Sequence, residues 1–356
     1  MKRTMIKAGV VGATGYAGSE LVRLLCRHPM VRLVSVGSRS YAGKPFSDVY
    51  PNMKGICDLV LSDDDISRAS ALCDVLFLAL PAGIASNCIT SELLEQCVVI
   101  DLGADYRLSD PAVYEAWYKV KHGSVGLLAQ AVYGLCELNK AKIAKADLIA
   151  NPGCYTTCSI LSLTPLLKAG LIKPSSIIID AKSGVSGAGR SEKLGSLYCE
   201  CNESVKAYGV ANHRHTPEIE EQLSWVASGG ASGKGITLQF TPHLVPMDRG
   251  ILATCYADLN EGVDAAQVAQ AFHDCYAGEP FVRILGEGVL PETRWVKGGN
   301  RCDIGWVIDR RTGRIIVVGA IDNLVKGAAG QAVQNMNIRF ALDETTGLDA
   351  AAAFPL

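Results

Sequence analysis

Short apolar runs alternate with stretches of helical period through the first 150 residues, and this alternation predicts βαβ units built on a parallel sheet. Met5 to Val11 reads as the first strand, Ser19 to Arg27 as a helix and Val31 to Val36 as the second strand. Val75 to Leu80 and Cys97 to Asp101 read as later strands, with Ile84 to Gln96 as a crossover helix between them, and Asp147 to Ala150 forms one more short apolar strand. The texture then changes. Ile177 to Asp180, Ile236 to Pro242, Ile251 to Leu259 and Arg314 to Ala320 are strand-like, and only Val263 to Tyr276 is strongly helical between them. That half is expected to be α+β with a mostly antiparallel sheet. Leu324 to Leu342 keeps a helical period despite Gly327 and Gly330, and small residues at such spacing let a helix pack closely. No internal repeat or low-complexity segment interrupts the pattern.

Composition fixes the scale. A chain of 356 residues, 49% of them hydrophobic, exceeds what one core usually supports, so two domains are expected. The formal charge of −2 and the lack of a long basic run argue against nucleic acid or an anionic membrane as a partner and leave a small molecule as the expected substrate. No apolar stretch reaches the ~18 residues of a membrane span. The thirteen cysteines show no pairing pattern and Met5 to Val11 is too short for a signal peptide, so a reducing, cytoplasmic setting is expected, or a plastid if a transit peptide has been removed. The closest cysteine spacings, Cys154-x3-Cys158 and Cys199-x-Cys201, match no zinc pattern, and no metal is expected.

Between the first strand and its helix lies Gly12-Ala13-Thr14-Gly15-Tyr16-Ala17-Gly18. A glycine turn that follows a strand and opens a helix lets the backbone approach a pyrophosphate, whose charge the helix N-terminus meets. Gly12, Thr14, Gly15, Tyr16 and Ala17 are therefore candidate dinucleotide contacts. At the end of the second strand, where an acidic residue would accept from the ribose of NAD, the chain reads Gly37-Ser38-Arg39-Ser40. Ser38 and Arg39 suit the 2′-phosphate of NADP instead, a solvated loop arginine being the alternative.

Cys154 stands where the strand ending at Ala150 gives way to a helix, within Asn151-Pro152-Gly153-Cys154-Tyr155. Free N–H groups and the positive end of the helix dipole favour a thiolate there, the form that attacks carbonyls, whereas most of the other cysteines are expected to be buried small residues. Pro165 should kink or restart this helix. A thiolate acting beside NADP points to chemistry between an acyl group and an aldehyde, which needs a proton donor. His213 and His215 in Asn212-His213-Arg214-His215-Thr216-Pro217-Glu218 are the candidates, and both rings share a face if the segment is extended. A metal pair or buried structural histidines are the alternatives. Arg107, in Asp101-Leu102-Gly103-Ala104-Asp105-Tyr106-Arg107, could grip a carboxylate or phosphate, or pair with Asp105. The run Ser183-Gly184-Val185-Ser186-Gly187-Ala188-Gly189-Arg190 implies a backbone passing close to something flat or charged, or else a flexible surface loop.

Taken together, GATGYAG at Gly12 to Gly18, GADYR at Gly103 to Arg107, NPGCY at Asn151 to Tyr155, SGVSGAGR at Ser183 to Arg190 and HRHTPE at His213 to Glu218 resemble, in this order, the N-acetyl-gamma-glutamyl-phosphate reductase family, related to aspartate-semialdehyde and glyceraldehyde-phosphate dehydrogenases. The resemblance covers nearly the whole chain. It implies a Rossmann-type nucleotide-binding domain over residues 1–150, completed by 324–356, and an α+β catalytic and oligomerisation domain over 151–323. It also implies NADPH-dependent reduction of an N-acetylated glutamyl phosphate to its semialdehyde through a Cys154 thioester, in arginine biosynthesis, by a homo-oligomer, either a dimer or a tetramer. The general acid-base histidine would be His213 or His215, with His213 favoured as the thiol's partner and His215 as a substrate contact. Asn151, Arg107 and Arg190 would bind substrate, while Ser183, Gly184, Gly187 and Asn323 would line the cofactor. Competing readings are a reductase of another acyl phosphate with the same machinery, and an NADP-binding sensor that has lost the chemistry.

Overall fold

The computed structural model describes residues 5–230 and 235–352. The expected domain bounds at 1–4 and 353–356 lie outside the described residues. The described residues divide into two compact units, one holding residues 5–152 and 328–350, the other 153–230, 235–327 and 351–352.

In the first unit, six strands form an all-parallel sheet: β1 (Ile6–Val11), β2 (Val31–Val36), β3 (Val75–Leu78), β4 (Val98–Asp101), β5 (Val132–Tyr133) and β6 (Leu148–Ala150), in the order β2-β1-β3-β4-β6-β5. Every residue of β3, β4 and β6 is buried, which is why these strands read as unbroken apolar runs rather than as alternation. The helix after β1 starts earlier than expected, at Tyr16, and ends at Arg27. The expected single crossover helix over 84–96 is two short helices, Ala85–Cys88 and Ser91–Gln96. Thr90 is the cause: it is extended, and its hydroxyl accepts from the Leu93 N–H at 3.3 Å, so it starts a new helix rather than continuing the old one. The last helical region is also shorter than its pattern. A wide π turn, Val325–Ala329, leads into the helix Gly330–Arg339. That helix is buried all round, and its polar residues are spent inside the unit: Gln331 Nε2 and Asn335 Nδ2 both donate to the Gly134 carbonyl, each at 2.8 Å.

In the second unit, seven strands form a mixed sheet: β7 (Ile178–Ser183), β8 (Lys206–Ala207), β9 (Gln239–Leu244), β10 (Ile251–Asp258), β11 (Val282–Glu287), β12 (Cys302–Asp309) and β13 (Arg314–Ile321). Their order is β11-β12-β13-β10-β7-β9-β8; β11–β12 and β7–β9 are parallel and the other neighbours antiparallel. Strict burial alternation along β10 shows one face turned to the core. The helix Cys154–Lys168 packs on β10 and β13 and is buried from Tyr155 through Leu167.

Two expectations are corrected here. Pro165 lies inside the Cys154–Lys168 helix, which runs past it. Proline leaves the carbonyl four residues back without its helical donor, and the Tyr276 hydroxyl supplies one, donating to Leu161 O at 2.6 Å. Val263 to Tyr276 is not the sole helix of this half: besides Ala265–Tyr276, a helix runs over Thr216–Ala227, with Pro217 in its first turn, where the missing N–H costs nothing. Among the described residues no helix is long and apolar enough to cross a membrane.

Candidate active site

The first unit carries the glycine turn. Gly12 has φ +78°, and a Cβ there would sit 2.4 Å from the Ala79 carbonyl; a Cβ on Gly18 would sit 2.2 Å from the Gly12 carbonyl. Both positions therefore exclude side chains. Gly15 caps the Tyr16–Arg27 helix in extended geometry without a side-chain cap, so the amides of the first turn, including Tyr16 and Ala17, keep their hydrogen-bonding capacity for an anion. The turn is braced from two sides. Thr14 Oγ1 lies 2.7 Å from Ser38 Oγ, and the Tyr50 hydroxyl donates to Thr14 O at 2.9 Å. Ser38 is buried, while Arg39 is exposed beyond it. The Asp64 carboxylate, unforeseen from sequence, accepts from Gly12 N at 3.3 Å and from Arg39 N at 3.0 Å. Tight glycines, free amides and a serine-arginine segment at the end of β2 fit a phosphorylated dinucleotide.

At the end of β4, Arg107 is nearly buried and donates to Leu102 O at 2.6 Å. The Asp105 carboxylate accepts from Gly83 N, Ser86 N and the Tyr114 hydroxyl at 2.7 to 2.8 Å, organising the loop around it. Asp101 is fully buried, with one oxygen accepting from Gly103 N, and burial, reinforced by Asp105, pushes its carboxyl up to about 7. Asn151 is also buried: its amide donates to Ala328 O at 3.2 Å and accepts from Asn335 Nδ2 at 3.1 Å, so its side chain serves the packing of this unit.

The second unit carries the nucleophile candidate. Cys154 is the first residue of its helix, capped by Gly153, and is partly exposed. Glu218, buried in the helix that follows the histidines, holds the cap from outside: its Oε1 accepts from Gly153 N at 3.0 Å and from Thr156 Oγ1 at 2.9 Å. On the other side the π turn comes so close that a Cβ on Gly327 would sit 2.7 Å from Cys154 Cβ.

His213 and His215 stand together, ring centroids 4.9 Å apart, but by a turn into the Thr216–Ala227 helix rather than by an extended strand. The His215 backbone N–H donates to His213 Nδ1 at 3.2 Å, which places the proton of the neutral ring on Nε2. His213 packs edge-on against Tyr155, Tyr208 and Phe240, and burial, with Arg214 adding to it, pushes its imidazole down to about 4. Tyr155 and Tyr208 are driven upward, foremost by burial, with Cys154 close enough that its charge contributes to both. They form a relay in which Tyr208 donates to Tyr155, and Tyr155 to the His243 carbonyl.

The 183–190 loop forms a 3-10 turn after β7. Its first glycine has an internal cause: a Cβ on Gly184 would meet the Asp248 carbonyl at 2.7 Å, and Gly184 N donates to Gly250 O. Asn323 ties the same pieces together, donating to Ser186 Oγ at 3.0 Å and accepting from Gly250 N at 2.7 Å. Ser183 is buried, with its hydroxyl on Gly184 O, and a Cβ on Gly187 would reach that hydroxyl at 3.0 Å. Arg190 is exposed at the far end of the loop. The roles of Glu218, Gly327 and Tyr155 are not legible in the sequence because their contacts with the Cys154 turn span up to 173 residues or depend on ring packing, although Glu218 and Tyr155 stand inside the HRHTPE and NPGCY motifs.

Comparison with known proteins follows the same division. Residues 7–146 match the semialdehyde dehydrogenase NAD binding domain, and residues 154–323 match the semialdehyde dehydrogenase dimerisation domain. N-acetyl-gamma-glutamyl-phosphate reductase from Lachnoclostridium phytofermentans is 54% identical over 351 residues, 99% of this chain and 100% of the relative. The reductase of the same name from Heliobacterium modesticaldum is 53% identical over 353 residues, again 99% of this chain and all of the relative. Among solved structures, aspartate semialdehyde dehydrogenase II from Vibrio cholerae superposes with a TM-score of 0.71 at 16% identity, covering 95% of this chain and 99% of that one. The NADP complex of aspartate semialdehyde dehydrogenase from Candida albicans gives 0.67 at 18% identity, with 95% and 99% covered; both likenesses are of fold.

Proposed function

The chain belongs to the N-acetyl-gamma-glutamyl-phosphate reductase family of oxidoreductases, and on that premise we propose that it reduces N-acetyl-L-glutamyl 5-phosphate to N-acetyl-L-glutamate 5-semialdehyde and phosphate, using NADP(H), in arginine biosynthesis. The observation that carries the chemical reading is Cys154 at a helix N-terminus, its cap held by Glu218 and its flank crowded by Gly327. When bound, NADPH supplies the hydride that reduces the acyl carbon.

The residues of the chain divide the rest of the work. The Cys154 thiolate attacks the acyl carbon, the bond to the phosphate oxygen breaks and phosphate leaves, so that the acyl group is held as a thioester. Helix N–H groups at Cys154 favour negative charge on sulfur at both ends of the cycle. After reduction, the oxygen of the tetrahedral species collapses to the aldehyde carbonyl and the thiolate is regenerated. His213 suits hydrogen-bond donation through Nε2–H to the oxygen of the tetrahedral species without giving up its proton: the ring is neutral at physiological pH, and its Nδ1 is already occupied by the His215 N–H. His215 and Arg190 are assigned to the substrate, and Arg107 to an anionic group of it. Asn323 acts on the cofactor end indirectly, by fixing the Ser183–Gly187 segment through Ser186 and Gly250. Asn151, whose amide is taken up by packing, is assigned to holding the strand before Cys154 rather than to direct contact. A homo-oligomer formed through residues 154–323 is part of the same proposal.

The test is phosphate-dependent reduction of NADP by N-acetylglutamate semialdehyde, run beside aspartate semialdehyde. Turnover with the first and at least ~10³-fold less with the second is expected, because a pocket built for an acetamide disfavours a free ammonium. Preference for aspartate semialdehyde, or no turnover with either by protein that binds NADP, would refute the assignment.

A further inference from the structure

Asp322 is fully buried just past the end of β13, and no step of the proposed reaction uses it. Three segments meet on its carboxylate. Oδ1 accepts from Leu324 N at 2.8 Å and from Val325 N at 3.1 Å, the amides that open the π turn. Oδ2 accepts from Gly298 N at 2.7 Å and lies 3.4 Å from Arg249 Nε. The Asp322 carbonyl accepts from Gly327 N at 3.0 Å, the bond from five residues on that makes the turn wider than an α-helical one. Gly327 is the residue pressed against Cys154, so one aspartate ties both ends of the stretch that forms this wall, by side chain at its start and by main chain at its close. Arg249 carries the link outward. It belongs to the 247–250 loop, from which the 184–187 turn hangs: Val185 N donates to Met247 O at 2.9 Å and Ser186 N to Asp248 O at 3.0 Å. A carboxylate accepts on both oxygens, whereas an amide in its place would turn a donor toward one pair of these N–H groups whichever way it was flipped.

We propose that Asp322 is a positioning residue for the nucleophile: it fixes the π turn so that Gly327 stands as a wall beside Cys154, and it acts on the reaction through that wall without touching substrate. The inference rests on Cys154 being the nucleophile. A wall with no room for a methyl group limits where the sulfur can stand, and a displacement of about 1 Å at a nucleophile costs up to about 10²-fold in rate. Releasing the turn lets the wall recede, which leaves the sulfur reachable by a small reagent but no longer aimed at the acyl carbon.

The test measures kcat and KM of the reverse reaction and the rate of maleimide labelling at Cys154, in the full chain. Asp322→Asn is expected to lower kcat roughly 10- to 100-fold with KM near the wild-type value, while Cys154 is labelled at least as fast as in wild type. Asp303→Asn is the control: it removes an equally buried carboxylate, paired with Arg283, and should lower the Tm while leaving kcat and labelling near wild type. The route through Gly327 is read from the double variant Asp322→Asn/Gly327→Ala. Once the turn is released the added methyl has somewhere to go, so the double variant should turn over no slower than the slower of its two parents and be labelled faster than Gly327→Ala. Asp322→Ser, which keeps an oxygen for the Leu324 amide, repeats the series should the asparagine variant fail to fold. Wild-type kcat in a folded Asp322 variant, an equal loss in Asp303→Asn, or losses that multiply in the double variant would overturn the proposal. The underlying reading fails separately, if Cys154→Ser turns over as fast as wild type.

Discussion

Replacing Gly327 with alanine adds one methyl group beside Cys154, the proposed nucleophile, and nothing else. The backbone at Gly327 is outside the left-handed region, so alanine is conformationally permitted there. The added Cβ would lie 2.7 Å from Cys154 Cβ, 3.2 Å from Cys154 Cα and 3.3 Å from Ile321 Cδ1. Carbon atoms normally keep ~3.5 Å or more, so the first contact is short by about 0.8 Å, and two of the three neighbours belong to the start of a buried helix and cannot rotate away. Overpacking of this kind costs roughly 1–3 kcal/mol, and a displacement approaching 1 Å at a nucleophile costs up to about 10²-fold in rate. Gly327→Ala should therefore lower kcat of the reverse reaction by about 10- to 100-fold, slow maleimide labelling of Cys154 and lower the Tm. Gly126→Ala is the control, since a Cβ there meets nothing within 4 Å. Wild-type kcat and labelling in Gly327→Ala would refute the idea that this close approach sets the position of the thiol.

Tyr276→Phe should destabilise the protein by roughly 1–2 kcal/mol in urea unfolding, because Leu161 O then loses the donor that replaces the missing proline N–H; an unchanged midpoint contradicts this. For His213, pushed down to about 4, the native state binds a proton less readily than the unfolded chain at an ordinary histidine value near 6.5. Stability should thus be undiminished by His213 above pH ~6.5 and fall as pH drops toward 4, by up to about 3 kcal/mol. His213→Gln should flatten that part of the stability-against-pH curve, and a curve of unchanged slope would show that His213 is not held neutral.

Much of the first unit was legible because parallel strands buried on both faces leave unbroken apolar runs, and because a tight glycine turn leaves its demands in the sequence. The splitting of the 84–96 helix turned on one hydroxyl, that of Thr90, whose capping role competes with an otherwise continuous pattern. In the second unit β8, β11 and β12 lie outside the strand-like runs of the sequence; Gly305 lies within β12, and the reason for it is invisible locally, since a Cβ there would meet the Val289 carbonyl at 1.9 Å. The Thr216–Ala227 helix has one local signal, Pro217 at its start. Cys154 and the two histidines were legible as residue types in suggestive settings. What surrounds them was not, because Glu218, Gly327 and Asp64 reach their partners across 65, 173 and 52 residues, and only tertiary packing decides such contacts.

The central claim is covalent capture at Cys154, and omitting phosphate isolates it. Wild-type protein mixed with N-acetylglutamate semialdehyde and NADP in phosphate-free buffer should release a burst of one NADPH per site and then stall, with the acyl group recovered on the Cys154 peptide alone among the thirteen cysteines. Cys154→Ser, still binding NADP, should give no burst. A burst of the same size in Cys154→Ser, or an acyl group recovered on another residue of the wild type, would contradict the claim.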